Sequence, residues 1–389
     1  MRQLNAPVNL LVCQKSKIQD WIDHFTENYD YEVYNLTKPK QLAAFMDNPH
    51  GVAIINYDLI WRRKEIAQLS DFTLMLDESS LIQNQDLNGR ISMSKRAKFV
   101  CALHPSNAIL LSGTPCGGKY EKLYTQIKLL GWNISYSTFY NSYVKYHTES
   151  NYGTGVNYRV IDGYKNVEHL KSKLAEYGAI FKKTYEVIDL PSQIDQVVRI
   201  ERSPEYKKFD KMKVVTTDEY ELVGDCTFAE IMGKRKLCGM YSEAKLQALK
   251  DLIDSTDDRL IIFYNFDIEL EKIRSVCKDK PISVINGKLK DLKAYTEQDN
   301  SITLVQYQAG AKGLNLQKAN KMIYYSPTNV CDDYMQSKKR IHRIGQGRTC
   351  FYYYLTVENS IEERIYAALE RGVDYTNDLY EQERDNNGK

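Results

Sequence analysis

Residues 335–346, MQSKKRIHRIGQ, place Gln336, Arg340 and Arg343 four and three positions apart. That spacing predicts one shared helix face. Two guanidinium groups on it form a fork that grips phosphate oxygens bidentately. Arginines so placed can stabilise charge developing on a γ-phosphoryl group. A generic KKR run is more often a solvated basic surface. Here Gly345 follows the arginines directly, and FYYYLTV (351–357) then reads as a strand. Far upstream, DFTLMLDESS (71–80) is an apolar run ending in Asp77-Glu78. An aspartate there can hold Mg²⁺, and the adjacent glutamate can position and activate an attacking water. The bland alternative is a helix N-terminus, which the two acids and Ser79 would also favour. NAILLSGTP (107–115) follows, ending in the turn Ser112-Gly113-Thr114.

One motif is a decoy. Residues 113–119, GTPCGGK, fit a G-x-x-x-x-G-K phosphate loop, but Tyr120 stands where a Mg²⁺-ligating Ser or Thr is required. Pro115 also removes an amide donor from the cradle, and the carboxylate pair precedes the loop instead of following it.

The elements that position these groups read as alternating strands and helices. PVNLLVC (7–13), GVAIINYDLI (51–60), 71–80 and 107–115 are apolar, strand-sized runs, with a helix from about Ile18 to Phe25 that carries Trp21 and Ile22 on one face. Such a pattern predicts a doubly wound parallel sheet whose reactive residues lie beyond the carboxyl ends of the strands. Lys15, Tyr57, Asp77, Glu78 and Thr114 all fall there. From 132 to about 185 aromatic and polar residues alternate irregularly, an insertion with a helix expected over 166–181. A basic pair, Lys182-Lys183, then Leu190-Pro191, a strand near Ile194–Ile200 and a helix begun by Ser203-Pro204 make a crossing. The βα alternation resumes with a helix at 243–254 and strands at 259–266, 281–287, 301–308 and 321–327. The turn 309–320 carries Gly310 and Gly313, which permit close backbone approach to phosphate or sugar. The helix SIEERIYAAL (360–369) closes the pattern. The expected fold class is α/β: two RecA-like doubly wound parallel-sheet lobes with a helical insertion. The divisions are 1–131 for the first lobe, 132–241 for insertion and crossing, and 242–389 for the second lobe.

The chain has 389 residues, of which 43% are hydrophobic and 27% charged, enough for two or three cored domains. A net charge of +2 confines any nucleic-acid contact to local patches. The eight cysteines include no CxxC pair, which points to reduced thiols in a cytoplasm-like compartment and away from zinc. No run approaches the roughly 18 apolar residues of a membrane span, and no signal-peptide pattern opens the chain. The 30 tyrosines, with abundant Lys, Asn and Ile, fit an AT-rich genome, viral or bacterial, and so a bacterial or phage-infected cytoplasm.

The run from AGAKGLNLQ through QSKKRIHRIGQ to SIEERI resembles the Swi/Snf-type ATPases of helicase superfamily two, in which A-G-x-x-G-L-N-L precedes Q-x-x-x-R-x-x-R-I-G-Q. The likeness covers essentially the whole chain. It implies a DNA-stimulated ATPase that moves along double-stranded DNA and holds ATP and Mg²⁺ between two lobes. By position, Asp77 would hold Mg²⁺ and Glu78 would activate water. Arg340 and Arg343 would act as arginine fingers, and Gly313 and Gln336 would sense the γ-phosphate. Ser112, Gly113 and Thr114 would couple nucleotide state to the nucleic-acid path. Lys15, Ser16, Asn56, Tyr57, Asn265, Ala311 and Lys312 would lie along the DNA.

The family pattern opens with a Walker A loop upstream of the first matching strand, and no GKT or GKS occurs in this sequence. Without it the lysine and amide cradle for the phosphates is missing, and the sheet keeps an edge open to pairing. A fragment or late-start reading, the larger half of a split ATPase completed by a separate polypeptide, and an inactive regulator that binds DNA without hydrolysis all stay open. A metal nuclease built on Asp77 and Glu78 lacks a third carboxylate or lysine in a consistent motif.

Overall fold

The computed structural model describes residues 4, 6–150, 157–182, 186, 189–277, 279–310 and 314–387. The chain divides into two compact units, Met1–Phe181 and Lys182–Lys389.

The first unit is built on a parallel sheet of five strands: β1 (Val8–Cys13), β2 (Val33–Asn35), β3 (Gly51–Asn56), β4 (Phe72–Asp77) and β7 (Asn107–Leu111), in the order β2-β3-β1-β4-β7. The two-residue period explains why the central runs are wholly apolar. Leu10, Val12, Ala53, Ile55, Leu74 and Leu76 pack on one face of the sheet. Leu11, Cys13, Val52, Ile54 and Met75 pack on the other, under α1 (Ile18–Asn28). Gly51 opens β3 at φ +69°, and a Cβ there would lie 2.3 Å from the Glu32 carbonyl oxygen, so only glycine fits. The run predicted as a strand over 51–60 ends at Asn56, and Tyr57–Ile60 is a turn of helix. β7 lies at the sheet edge, its residues half-buried and Leu111 exposed by 41%.

Two short hairpins belong to this unit, β5–β6 (Gln85–Leu87 and Arg90–Ser92) and β8–β9 (Val144–Ser150 and Asn157–Tyr164). Asn88 joins them, donating to the Asn157 carbonyl and accepting from the Arg159 amide, both at 2.9 Å. The insertion is therefore part hairpin, whereas a helical one was expected. Its helices, Tyr136–Tyr143 and Val167–Glu176, close a small core of Trp132, Phe139, Tyr143, Leu170 and Leu174.

The second unit carries a parallel sheet of six strands: β10 (Gln193–Ile200), β13 (Leu260–Tyr264), β14 (Ile282–Ile285), β15 (Ile302–Gln306), β16 (Lys321–Tyr324) and β17 (Cys350–Val357), ordered β10-β17-β16-β13-β15-β14. β10 pairs with β17 over its full length, so the segment read as a crossing supplies an edge strand to this sheet. A small hairpin, β11–β12 (Val214–Thr216 and Glu221–Val223), follows β10. Tyrosines fill much of the interior, some with their hydroxyls partnered and others, such as Tyr307 and Tyr366, with buried hydroxyls that meet no partner among the described residues. Tyr352 donates to the Lys338 carbonyl and Tyr354 to Asp195, both at 2.9 Å. At the core, the Lys245 ammonium donates to both oxygens of Glu362, at 2.5 and 2.7 Å. A final helix, Asn377–Asn387, was not anticipated because its sequence is almost wholly polar. It docks through Tyr380, whose ring is buried and whose hydroxyl accepts from Lys234 at 2.7 Å. Among the described residues no helix is long and apolar enough to cross a membrane.

Candidate functional site

β4 delivers Asp77 as its last residue, and the chain turns sharply at Glu78, which sits at φ 63°, ψ 59°. A non-glycine residue in this left-handed region costs about 1–2 kcal/mol, so its surroundings must hold it there. They do so with hydroxyls and amides. Ser80 and Ser112 each donate to the same Glu78 carboxylate oxygen at 2.9 Å. Ser112 Oγ in turn accepts from the Thr114 amide at 3.2 Å. Ser79 donates to Gln126 at 2.9 Å. Gln83 and Gln126 both donate to the Pro115 carbonyl at 2.7 Å. The structure thus brings the expected coupling residues Ser112 and Thr114 onto the acidic pair, with Gly113 exposed between them.

Asp77 is held from two other sides. The Trp21 indole N–H, from α1, donates to Oδ2 at 2.9 Å, and the Tyr57 hydroxyl donates to the Asp77 carbonyl at 3.0 Å. Burial, reinforced by the Asp77 charge, raises the Cys13 thiol to about 12 and pushes the Tyr57 hydroxyl well above its ordinary value. Both stay protonated at neutral pH. Among the described residues no hydrogen bond is made to Asp77 Oδ1, and no three His, Cys, Asp or Glu side chains cluster as a metal cage. Mg²⁺ is commonly held by one or two carboxylates together with water and substrate phosphates. A single clamped aspartate with one open oxygen fits that habit.

GTPCGGK does not form a cradle. Pro115 turns its carbonyl inward to two glutamines, Lys119 closes a tight turn onto the Cys116 carbonyl at 2.9 Å, and Cys116 is buried.

In the second unit the expectation of one helix face for Gln336, Arg340 and Arg343 is corrected. The helix Cys331–Lys338 stops short, and both arginines lie in the turns beyond it. Ile341 is fully buried there, and Gly345 at φ +91° carries the chain out toward β17. The two arginines still converge. Arg340, 8% exposed, donates to the Gln336 carbonyl at 2.9 Å, to its amide oxygen at 3.0 Å and to the Leu314 carbonyl at 3.2 Å. Arg343, half-exposed, reaches the same Leu314 carbonyl at 3.2 Å and the Asn315 side chain. Ala311, Lys312 and Gly313 lie outside the described residues. Gly310 serves packing rather than ligand approach: a Cβ there would meet the Val305 side chain at 2.0 Å.

The proposed DNA residues separate into two sorts. Lys15 and Ser16 are exposed on the 3₁₀ turn Lys15–Lys17 beyond β1. Asn56 and Tyr57 are 6% and 2% exposed, so their side chains offer almost no surface. Asn265 is likewise occupied, donating to Ser326 Oγ at 2.9 Å and to the Pro327 carbonyl at 2.8 Å. Its own amide is held at 2.8 Å by Glu269, a buried carboxylate the sequence did not flag. Trp21 was seen only as a core-facing aromatic. A half-buried indole needs a partner for its N–H, but nothing in its spacing says which.

Residues 4–243 match the SNF2-related domain, and residues 244–345 match the helicase conserved C-terminal domain. The chain is 27% identical over 214 residues to ATP-dependent helicase fft3 of Schizosaccharomyces pombe, covering 50% of this chain and 23% of that protein. It is 21% identical over 342 residues to the SWI/SNF-related matrix-associated actin-dependent regulator of chromatin subfamily A-like protein 1 of Xenopus tropicalis, covering 83% of this chain and 35% of that protein. The matched regions span roughly a quarter and a third of these relatives. The Sulfolobus solfataricus SWI2/SNF2 ATPase core in complex with dsDNA is similar with a TM-score of 0.40 and 18% identity, over 95% of this chain and 81% of that one.

Proposed function

This chain belongs to the SNF2-related family, pairing that domain with a helicase C-terminal domain, and we propose that it is an ATP-driven translocase on double-stranded DNA. The observation that carries this reading is the acidic pair at the end of β4, clamped in a strained backbone and wired to Ser112 and Thr114. Asp77 would hold Mg²⁺, which when bound neutralises charge on the phosphates. Glu78 orients the attacking water and takes its proton. The hydroxyls of Ser80 and Ser112 keep its carboxylate aimed. Arg343 is the arginine that turns to phosphate, exchanging the Leu314 carbonyl for a charged acceptor, while Arg340 fixes Gln336. Gly313 and Gln336 register the γ-phosphate. Lys15 and Ser16, together with Ala311 and Lys312 by family position, would contact DNA, while Asn56 and Tyr57 are buried within the first unit and Asn265 is bonded within the second.

The β- and γ-phosphates also need an amide cradle. The open edge of β7 is suited to receive the strand that brings one. Ser106 donates its amide to Phe72, so by strand alternation the backbone groups of Asn107, Ile109 and Leu111 face outward. A parallel strand paired there, from a preceding segment or a separate polypeptide, ends beside Ser112 and Glu78.

A second reading, a DNA-binding regulator without turnover, draws support from the arginines lying bonded to their own unit. DNA-stimulated phosphate release, assayed with and without an added phosphate-loop polypeptide, separates the two. Glu78→Gln and Arg343→Ala abolish release on the motor reading while DNA binding persists. Unchanged release in either variant overturns these roles.

A further inference from the structure

Asp77 shares its clamp with the turn expected to face DNA. Lys15–Lys17 is a single 3₁₀ turn, exposed at Lys15 and Ser16, and it runs without interruption into α1 at Ile18. One helical turn on, Trp21 reaches back across the strand ends to Asp77 Oδ2 at 2.9 Å. A helix advances about 1.5 Å per residue, so Trp21 sits only about 6 Å along the axis from Lys17. Its ring is held by stacking on Phe25, with centroids 5.8 Å apart and planes 26° from parallel, and by an edge contact with His24 at 5.7 Å. α1 is seated on the sheet by Ile18 and Phe25. A force applied at the turn therefore reaches the indole through a short, packed path.

The chemistry of the donor matters. An indole N–H is uncharged and donates only once. It fixes one carboxylate oxygen without cancelling the negative charge that a cation needs, and it cannot itself compete as a ligand. A lysine or arginine in the same place would neutralise the aspartate. Tyr57 does the matching work on the backbone side, donating to the Asp77 carbonyl from the segment that follows β3.

We propose that Trp21 is a positioning residue for Asp77 that ties the metal carboxylate to the DNA-facing turn Lys15–Lys17, so that DNA on the turn sets the aim of Asp77. This rests on the reading above, in which Asp77 holds Mg²⁺ and Lys15 and Ser16 meet DNA.

The test is a ¹H–¹⁵N correlation of the indole groups in the full chain. There are three tryptophans, and the other two sit in different surroundings: Trp61 lies under Arg62 and Lys95, and Trp132 stacks on Tyr177. Trp61→Phe and Trp132→Phe assign the Trp21 resonance without touching it. Asp77→Asn is expected to move that resonance and leave the other two in place. A short DNA duplex is expected to move it in the wild-type chain. If Asp77→Asn leaves the Trp21 resonance unmoved, the clamp is absent and the proposal is overturned. If the resonance responds to Asp77→Asn but not to DNA, while fluorescence anisotropy shows the duplex bound, the coupling is overturned and the DNA reading stands. If anisotropy shows no binding of the duplex, the underlying reading falls and takes the proposal with it. The DNA titration is read on the wild-type chain, so a folding defect in a Trp21 variant cannot blur it.

Discussion

Replacing Lys245 by methionine is expected to unfold the second unit's core more than any single surface change. Lys245 and Glu362 have side chains 0% and 2% exposed, and the ammonium supplies donors to both carboxylate oxygens. Glu362 receives one further bond, from the Val357 amide at 3.0 Å. Methionine fills similar volume but donates nothing, so the carboxylate is left buried with a single amide donor. Breaking a buried pair on one side costs about 3–5 kcal/mol, a large share of the roughly 5–15 kcal/mol that holds a domain together. For a unit of about 200 residues each kcal/mol lowers Tm by about 2–4 °C, which predicts a fall of roughly 6–20 °C. Differential scanning calorimetry of the full chain, with urea unfolding alongside, measures it. The companion Lys245→Met/Glu362→Leu should recover most of the loss, since removing both charges removes the orphan. A loss below about 1 kcal/mol in the single variant, or no recovery in the double, refutes the premise that this pair is desolvated and mutually dependent.

Three further outcomes follow from particular contacts. Ser112→Ala removes one of two hydroxyls on Glu78 and should lower DNA-stimulated ATP turnover by about tenfold, at the lower end of the roughly 1.5–3 kcal/mol ascribed to a hydrogen bond on a charged group, with DNA affinity unchanged by anisotropy. Gly51→Ala puts a Cβ against the Glu32 carbonyl at a positive φ and should cost the first unit about 1–3 kcal/mol in urea unfolding. Burial raises the Glu269 carboxyl above its ordinary 4.5, against the opposing amide and hydroxyl donors. A raised folded value means the folded state holds the proton more tightly, so this contribution is whole below about 4.5 and is lost as pH climbs through the folded value. Glu269→Gln should flatten that part of the stability profile, measured by urea midpoints from acid to neutral pH, and an unchanged profile would count against it.

Much of the frame was legible because the buried parallel strands must be apolar throughout and must end in polar turns. VNLLVC, FTLMLD and LIIFY declare themselves by composition alone, and the strand ends mark where chemistry sits. The helix Asn377–Asn387 was illegible for the opposite reason: its sequence is almost wholly polar, and it docks through Tyr380 and Leu379 with Glu381 accepting from Thr227. The hairpin β8–β9 was hidden by an exposed, mixed sequence whose pairing depends on long-range neighbours such as Asn88.

Within the candidate site, sequence spacing located Asp77, Glu78, Ser112 and Thr114, because adjacency and strand ends are local properties. It could not show that Ser80 and Ser112 share one carboxylate oxygen, or that Trp21, 56 residues away, donates to Asp77. Nor could it show that Arg340 turns back on Gln336 rather than standing on one face with Arg343. Residue types and short spacings determined the lobes, the family and the carboxylates and cations on offer. Which donor meets which acceptor, and which arginine is buried, was decided by tertiary packing, since hydrogen bonds are fixed by approach in space and not by separation along the chain.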